Sequence, residues 1–551
     1  MNDSISVREA HEAFVTGHTG STAIDVILAI FPVIPASFLA ACFVKGRMGW
    51  LWFFIDSLLL VVPPTLGFTV LANYTLEVSA VQILLAGLVL VCTSHPLQDS
   101  FLNNSKHLAC LTAMRAILNV NTAVAILGVD FHSFPRRFAK TEEYGYSVMD
   151  VGAGGFVVVN GFVEGRKRRC YKSVMVDAFV LAILGLLRVV FVQMSDYQHH
   201  VTEYGVHGNF FFTLAFTKAA CSWWVYRLTW SSGTLLAILV CFCHHILLTA
   251  GHIGSWTLSN APRDNLLTAN REWIVSMPGY MAIYFFGAAM GNYIFRRRNE
   301  GKKLSTSFLV ITAIFSISVV VLGHYVDLPS RRLGNPTFVT FVMTYTSIGF
   351  ASFSLIEETL SPVLCVPPTL ASINRRPLSF FLLTNVTTGE DWVVRPQVLC
   401  PPGSVGETLA ARPYCGAWQV ATANCGAVKF AAANYTGLAH SSSRRNERCH
   451  YTLGATHWRY TSTPADDMSG YKILFMCTAL FTKHYCYYSL EITDEARKTT
   501  GNKRSENQKI RSQPQPTLTP LHSQDHPPTA LCGDSMARHG RGCQVPKLYE
   551  V

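Results

Sequence analysis

The sequence predicts an all-α polytopic membrane protein of about 11–13 transmembrane helices, followed by a largely disordered C-terminal tail. Two observations carry this. Half of the 551 residues are hydrophobic and only 14% are charged, whereas soluble globular chains carry about 25% charged residues. The apolar residues also fall into runs near the roughly 20 residues that one helix needs to cross hydrocarbon. Together they exclude intrinsic disorder for most of the chain and argue against an ordinary soluble enzyme. The formal charge is +11, but Lys and Arg cluster between apolar runs without interleaved aromatics. That is a topology signal, not a nucleic-acid surface.

The spans run in order at about 23–43, 50–72, 79–94, 109–129, 148–163, 174–194, 209–226, 233–250, 277–295, 306–326 and 337–356. The first is longer than a signal core and lacks a basic leader, so it reads as a membrane helix. The third and fifth are short. The fifth, VMDVGAGGFVVVNGFV, is Gly-rich and leaves a re-entrant segment open, with Gly152–Gly155 read as helix-packing glycine. A twelfth span begins at Leu378. Three regions follow: 1–22 as a luminal N-terminal segment, 23–389 as the multi-spanning domain, and 390–551 as an atypical tail rich in Ser, Thr, Pro and Gly. Within the tail only Tyr471–Thr482 is apolar, and 495–530 reads as disordered.

Cysteine usage adds little chemistry. Cys42, Cys92, Cys110, Cys170, Cys221, Cys241 and Cys243 lie in or beside apolar runs, where free Cys acts as a small hydrophobe. Cys241-Phe-Cys243-His244-His245 resembles a metal set, yet its apolar setting favours packing.

Charge bias orients the spans. With the N-terminus luminal, the cytosolic loops hold Lys45, Arg47, Lys106, Arg166–Arg169, Lys172, Arg227, Arg296–Arg298, Lys302 and Lys303; the luminal ones hold fewer basic residues. This parity puts loops 130–147, 195–208, 251–276 and 327–335 together at the luminal end. It also places the Asn73-Tyr-Thr75 glycosylation sequon there.

Those loops carry the candidate chemistry. Asp130 to Tyr146 includes Asp130, His132, Arg136, Arg137, Lys140, Glu142 and Glu143 at a membrane boundary. An acid beside a cation suits base catalysis with stabilisation of a developing oxyanion. In Ser195–Asn209, Glu203 and His207 are at i, i+4 and would share a helix face. With His199 and His200 they suggest a metal, but no standard ligand set is completed, so no metal is assigned. Asn270-Arg271-Glu272-Trp273 and Ser330-Arg331-Arg332 offer Arg side chains suited to phosphate. Asp56, Arg115, Asp177, Arg188, Lys218, Glu357 and Glu358 lie within spans, as in an enzyme or a transporter. No G-x-S-x-G elbow, Walker A loop or H-x-x-x-x-D box is present, so a covalent serine intermediate has no support.

Read together, DFHSFPRRFAKTEEYGYSVMDVGAGGFVVVNG, YQHHVTEYGVHGNFFFTL, NREWIVSMPGY, SRRLGN and INRRPLSFFLLTNVTTG resemble the signature blocks of the GPI-anchor inositol acyltransferases, the PIG-W family, over about residues 10–389. The resemblance implies a multi-pass acyltransferase of the endoplasmic reticulum membrane. It would move palmitoyl from acyl-CoA to the inositol 2-hydroxyl of glucosaminyl-phosphatidylinositol, with membrane lipids as surroundings, no nucleic-acid partner and no cofactor beyond the acyl-CoA co-substrate. It implies Asp130 as general base, Lys140 as stabiliser of charge on the thioester oxygen or as the group that tunes Asp130, and His207 as the alternative base. Arg136, Arg137, Glu203, Tyr204, Arg271, Arg331 and Arg332 become contacts to the inositol phosphate or supports of the site. Acyl-CoA is cytosolic while these loops read as luminal, which calls for either a cavity reaching in from the cytosolic side or a different parity around the third and fifth spans. In this chain the last block ends Asn385-Val-Thr-Thr-Gly389 and passes into Glu390-Asp-Trp, where the family continues its final helix. The competing class is a polytopic transporter of a lipid or small polar solute.

Overall fold

In the computed structural model, residues 17–44, 50–93, 108–129, 131, 133–166, 171–194, 201–359 and 366–388 are described. They are helical apart from loops and one isolated antiparallel bridge, Ser21 to Tyr146. The tail beyond 390, with its expected disorder, lies outside the described residues.

The helices are α1 (Ala23–Ile30), α2 (Val33–Val44), α3 (Trp50–Gly67), α4 (Thr75–Thr93), α5 (Ala109–Gly128), α6 (Val148–Arg166), α7 (Tyr171–Met194), α8 (Val201–Tyr204) and α9 (Phe210–Val225). After them come α10 (Trp230–Thr249), α11 (Ile253–Leu258), α12 (Leu266–Ala269), α13 (Arg271–Asn299), α14 (Leu304–Tyr325), α15 (Pro336–Thr359), α16 (Pro368–Arg375) and α17 (Pro377–Thr388). Every one of the eleven expected spans coincides with a helix. Among the described residues, eight segments are long and apolar enough to cross a membrane: the α1–α2 segment, α5, α6, α7, α10, α13, α14 and α15. The apolar stretches Leu51–Gly67, Thr75–Val89 and Phe210–Val225 are shorter. The re-entrant option for the fifth span falls, because α6 is one unbroken helix of 19 residues. The expected twelfth span is α17, whose 12 described residues rise only about 18 Å.

Burial sorts the helices into a core and a rim. The α1–α2 segment, α5, α13 and α15 are 78–83% buried in their apolar windows, and α6 is 61% buried. By contrast α7, α10 and α14 are only 17–28% buried. Their exposed residues include Leu187, Phe191, Leu235, Ile317 and Val320. An apolar face that broad suits lipid, not water.

At the centre, α6 and α13 touch backbone to backbone. Gly161-x-x-x-Gly165 of α6 faces Gly287-x-x-x-Gly291 of α13. A Cβ at Gly161 or Gly165 would collide with the carbonyl of Tyr284 or Ala288; one at Gly287 or Gly291 would collide with that of Val158 or Phe162. Contacts advance in the same direction on both helices, so the pair is parallel. Small residues spaced by four allow this approach, and dispersion holds it where no hydrophobic drive exists between helices in lipid. Gly154 and Gly155, part of the predicted packing cluster, lie likewise against Val342 and Leu118.

Carboxylates within or at the ends of spans cap other helices. Glu358 accepts from Leu304 N at 2.9 Å and Ser305 N at 3.0 Å, closing the α14 N-terminus. Glu357 accepts from Cys110 N at 3.0 Å near the start of α5 and pairs with Arg298 at 3.3 Å. Asp56 accepts from Thr369 N at 2.7 Å at the start of α16. Lys218 and Asp177 pair at 3.1 Å between α9 and α7. These groups satisfy orphan N–H donors and one another. At the opposite end, the loops preceding α1, α6, α9, α13 and α15 gather into one layer. Glu142 N donates to His18 O at 3.0 Å, Gly145 N to Pro329 O at 2.9 Å and Val206 N to Ala269 O at 2.9 Å. The expected clustering of the motif loops is thus met by direct contact.

Gly161→Leu or Gly287→Leu is expected to part α6 from α13 and destabilise the fold by about 1–3 kcal/mol or more through overpacking. The check is the yield of monodisperse protein and its melting temperature in detergent, with Gly87→Leu as control, since a Cβ there meets nothing.

Candidate active site

Arg331 is the hub of the loop layer. Its Nε lies 2.7 Å from Asp150 Oδ1 and its Nη1 3.4 Å from Glu203 Oε1. The guanidinium stands 5.4 Å from the Tyr204 ring centroid. Lys140 Nζ donates to Glu203 Oε2 at 2.7 Å. The second oxygen of Asp150 accepts from Thr141 N at 3.1 Å and Thr141 Oγ1 at 2.6 Å. Two cations and two carboxylates therefore balance. The Arg331 side chain is 5% exposed and that of Lys140 is 38% exposed. Lys140 is the most exposed member of the cluster.

This pairing sets the electrostatics. Burial alone would raise the Glu203 pKa, but Lys140 and Arg331 outweigh it and hold the carboxyl down at about 2. Burial works against the Arg331 cation, yet Glu203 and Asp150 keep it more firmly protonated than an ordinary Arg. Burial, reinforced by Glu203, pushes the Tyr204 phenol up to about 12. Glu203 is thus a permanently charged holder of Lys140 and a poor base.

Arg332 points the other way, into a second cluster. Its Nη2 lies 3.3 Å from Glu272 Oε1 and 3.3 Å from Thr257 O. Glu272, fully buried, also takes a two-pronged contact from Arg263 at 3.0 and 2.5 Å, and Arg271 Nε approaches at 3.5 Å. Arg271 donates further to Ala261 O at 2.8 Å and Ser259 O at 2.5 Å. These guanidiniums tie the 257–272 loop together.

A tight turn aims the two arginines apart. Asn335 Oδ1 accepts from Ser330 N at 3.0 Å and Phe338 N at 3.1 Å, and Asn335 Nδ2 donates to Leu328 O at 2.8 Å. Gly334 sits at φ +59°, a left-handed position, with its carbonyl against Gly279 of α13. His244 of α10, 4% exposed, bonds through Nε2 to Leu333 O at 2.9 Å. The Cys/His run read as packing therefore contributes one polar support to the turn.

The remaining candidates separate. Arg136 donates to the carbonyls of Val129, Phe131 and Phe134 at 2.8–3.1 Å, folding its own loop. Arg137 reaches Ala72 O at 3.0 Å and Asn73 Oδ1 at 2.7 Å, engaging the exposed Asn of the sequon. Neither contact reaches the Arg331 cluster. Glu203 and His207 do not share a helix face, because α8 ends at Tyr204 and Gly205 takes φ +78°. His207 instead joins Asn270: its backbone N donates to Asn270 Oδ1 at 2.8 Å, and Nδ1 faces Asn270 Nδ2 at 3.3 Å. Asn270 Nδ2 also donates to Leu266 O at 2.8 Å, which identifies it as the amide nitrogen. His207 Nδ1 is then the acceptor, so neutral His207 carries its proton on Nε2. Asp130, His132, His199 and His200 lie outside the described residues. A small crevice lined by Gly165, Val225, Leu228 and Phe285 is at the far end of α6 from Asp150 and takes no part.

Sequence reasoning missed Asp150, Glu272 and Arg263 as site members. Asp150 lay inside a Gly-rich apolar run, where a lone carboxylate was the available signal.

The Glu203 pKa, lowered from 4.5 to about 2, makes a signed prediction. Its contribution to stability, on the order of 3 kcal/mol, is complete above pH 4.5 and is lost as pH falls towards 2. The melting-temperature gap between the unmutated protein and Glu203→Gln should be constant from pH 7 to 5 and narrow below.

The sequence of the chain has relatives among known proteins. The model of the GWT1 family matches residues 7–390. GPI-anchored wall transfer protein 1 of Schizosaccharomyces pombe is 36% identical over 52% of this chain and 65% of its own length. The protein of that name from Kluyveromyces lactis is 31% identical over 70% of the chain and 89% of its own. Glucosaminyl-phosphatidylinositol-acyltransferase PIGW of Homo sapiens is 30% identical over 70% and 91% respectively. With a family match across most of its length and these relatives, the chain belongs to the GWT1 family.

Proposed function

We propose that this chain is an O-acyltransferase that moves a fatty acyl group, palmitoyl, from acyl-CoA to the inositol 2-hydroxyl of glucosaminyl-phosphatidylinositol. The step belongs to GPI-anchor biosynthesis, in the endoplasmic reticulum membrane. The observation that carries the reading is Lys140, held by Glu203 at the open side of a charge-balanced cluster, in a chain whose human relative is named as this acyltransferase.

In this mechanism Asp130 takes the proton of the inositol hydroxyl, and the inositol oxygen adds to the thioester carbon. Negative charge moves onto the carbonyl oxygen beside the Lys140 ammonium. The charge returns, the C–S bond breaks, and the thiolate leaves with the proton Asp130 had taken. No acyl-enzyme and no cofactor are needed. Two observations favour Asp130 as base. Glu203 and Asp150 are engaged by cations, and neutral His207 presents an N–H at Nε2. His207 is assigned as a hydrogen-bond donor to substrate. Arg271, Arg331 and Arg332 support the site and place positive charge near the inositol phosphate, while Arg136 and Arg137 hold the loop that bears Asp130 and Lys140. Transport is disfavoured by the ionisable groups within or at the ends of spans: Asp56, Asp177, Lys218, Glu357 and Glu358 engage helix ends or each other.

The test is acyl transfer in microsomes from cells lacking their own inositol acyltransferase, supplied with labelled palmitoyl-CoA and glucosaminyl-phosphatidylinositol. The unmutated chain should form product. Asp130→Asn and Lys140→Ala, at equal expression, should each lose about 10²-fold or more. An inert unmutated chain, with an active relative run beside it, overturns the reading.

A further inference from the structure

The α13 helix carries a buried hydroxyl that the mechanism above does not use. Tyr280 is 1% exposed, and its OH has no hydrogen-bond partner among the described residues. A buried unpartnered hydroxyl is destabilising, so the position calls for a compensating role. Its place in the fold supplies one. Tyr280 follows Gly279, which abuts Gly334 in the arginine turn. Its ring packs edge-on against Phe338 at 6.0 Å, just past that turn. It lies within electrostatic reach of the Arg331 cluster: Arg331, Asp150, Glu203 and the neutral Tyr204 phenol. Arg331 is committed to two carboxylates, so it has little to offer a reactant. The Tyr280 hydroxyl is a neutral donor that no acceptor among the described residues engages.

We propose that Tyr280 donates a hydrogen bond to the acyl carbonyl oxygen as charge develops on it, from the buried side of the site. This rests on the acyl-transfer reading. When the inositol oxygen bonds to the thioester carbon, the carbonyl electron pair moves onto oxygen and the Tyr280 O–H meets it. The pair then returns, the C–S bond breaks, and the thiolate leaves with the proton held by the base. Tyr280 keeps its own proton throughout. A donor of this kind acts in the transition state and leaves ground-state binding nearly unchanged.

Tyr280→Phe tests this in the full-length protein, because it removes one oxygen and keeps the ring. Its melting temperature in detergent should equal or exceed that of the unmutated protein, since an unsatisfied buried group is lost. Its kcat for acyl transfer from palmitoyl-CoA to glucosaminyl-phosphatidylinositol should fall about 10–10³-fold, with KM for both substrates within about twofold. An unchanged kcat in an active background overturns the role of Tyr280 alone. So does a raised KM with kcat intact, or a lowered melting temperature that accounts for the lost activity. An unmutated chain without transfer overturns the acyl-transfer reading and this proposal with it.

Discussion

The backbone contact between α6 and α13 governs the site. Two parallel helices meet through facing Gly-x-x-x-Gly motifs, and no side chain intervenes. Both helices begin in the loop layer, and each carries a carboxylate in its first turn: Asp150 on α6 and Glu272 on α13. The contact therefore keeps these two acids at the same end of the helix pair. Each then takes one of two consecutive arginines, Asp150 holding Arg331 and Glu272 holding Arg332. Were the helices apart, a single five-residue turn could not serve both. Acidic residues at helix N-termini are favourable in their own right, since the helix dipole presents positive charge there.

Charge balance explains why so many ionisable groups tolerate burial. An isolated buried ion carries a penalty of several kcal/mol. The Arg331 cluster answers it with two cations against two carboxylates, hydrogen bonds from Thr141, and the Tyr204 face beneath the guanidinium. The same balance divides labour among the acids. A carboxylate held near 2 cannot gather a proton at neutral pH, so Glu203 is confined to holding Lys140. Chemistry that needs a base must look to an acid outside these pairs.

The sequence made the helices legible because hydrocarbon demands long apolar runs, and each run became a helix. It also made the loop layer legible, because alternating direction alone sends 130–147, 251–276 and 327–335 to one end. What it hid were partners. Arg331 and Asp150 are 181 positions apart, and nothing local to either announces the other. Asp150 was hidden by its apolar neighbours, and Glu272, though part of the Asn270–Trp273 motif, was passed over for the adjacent Arg271. The short helix expected to align Glu203 with His207 failed at Gly205, whose left-handed backbone ends α8 one residue after Tyr204. Arg136 and Arg137 show the converse: a suggestive pair whose hydrogen bonds among the described residues include those to their own loop and to the 72–73 turn. Asp130 rests on sequence, outside the described residues.

One further consequence follows from His244. It belongs to α10, a rim helix whose other side chains mostly face outward, and it holds the Leu333 carbonyl inside the arginine turn. The arginine turn is thus tied by a polar contact to a helix whose surface faces lipid. A helix on the outside of the bundle takes part in fixing the position of a buried charge cluster.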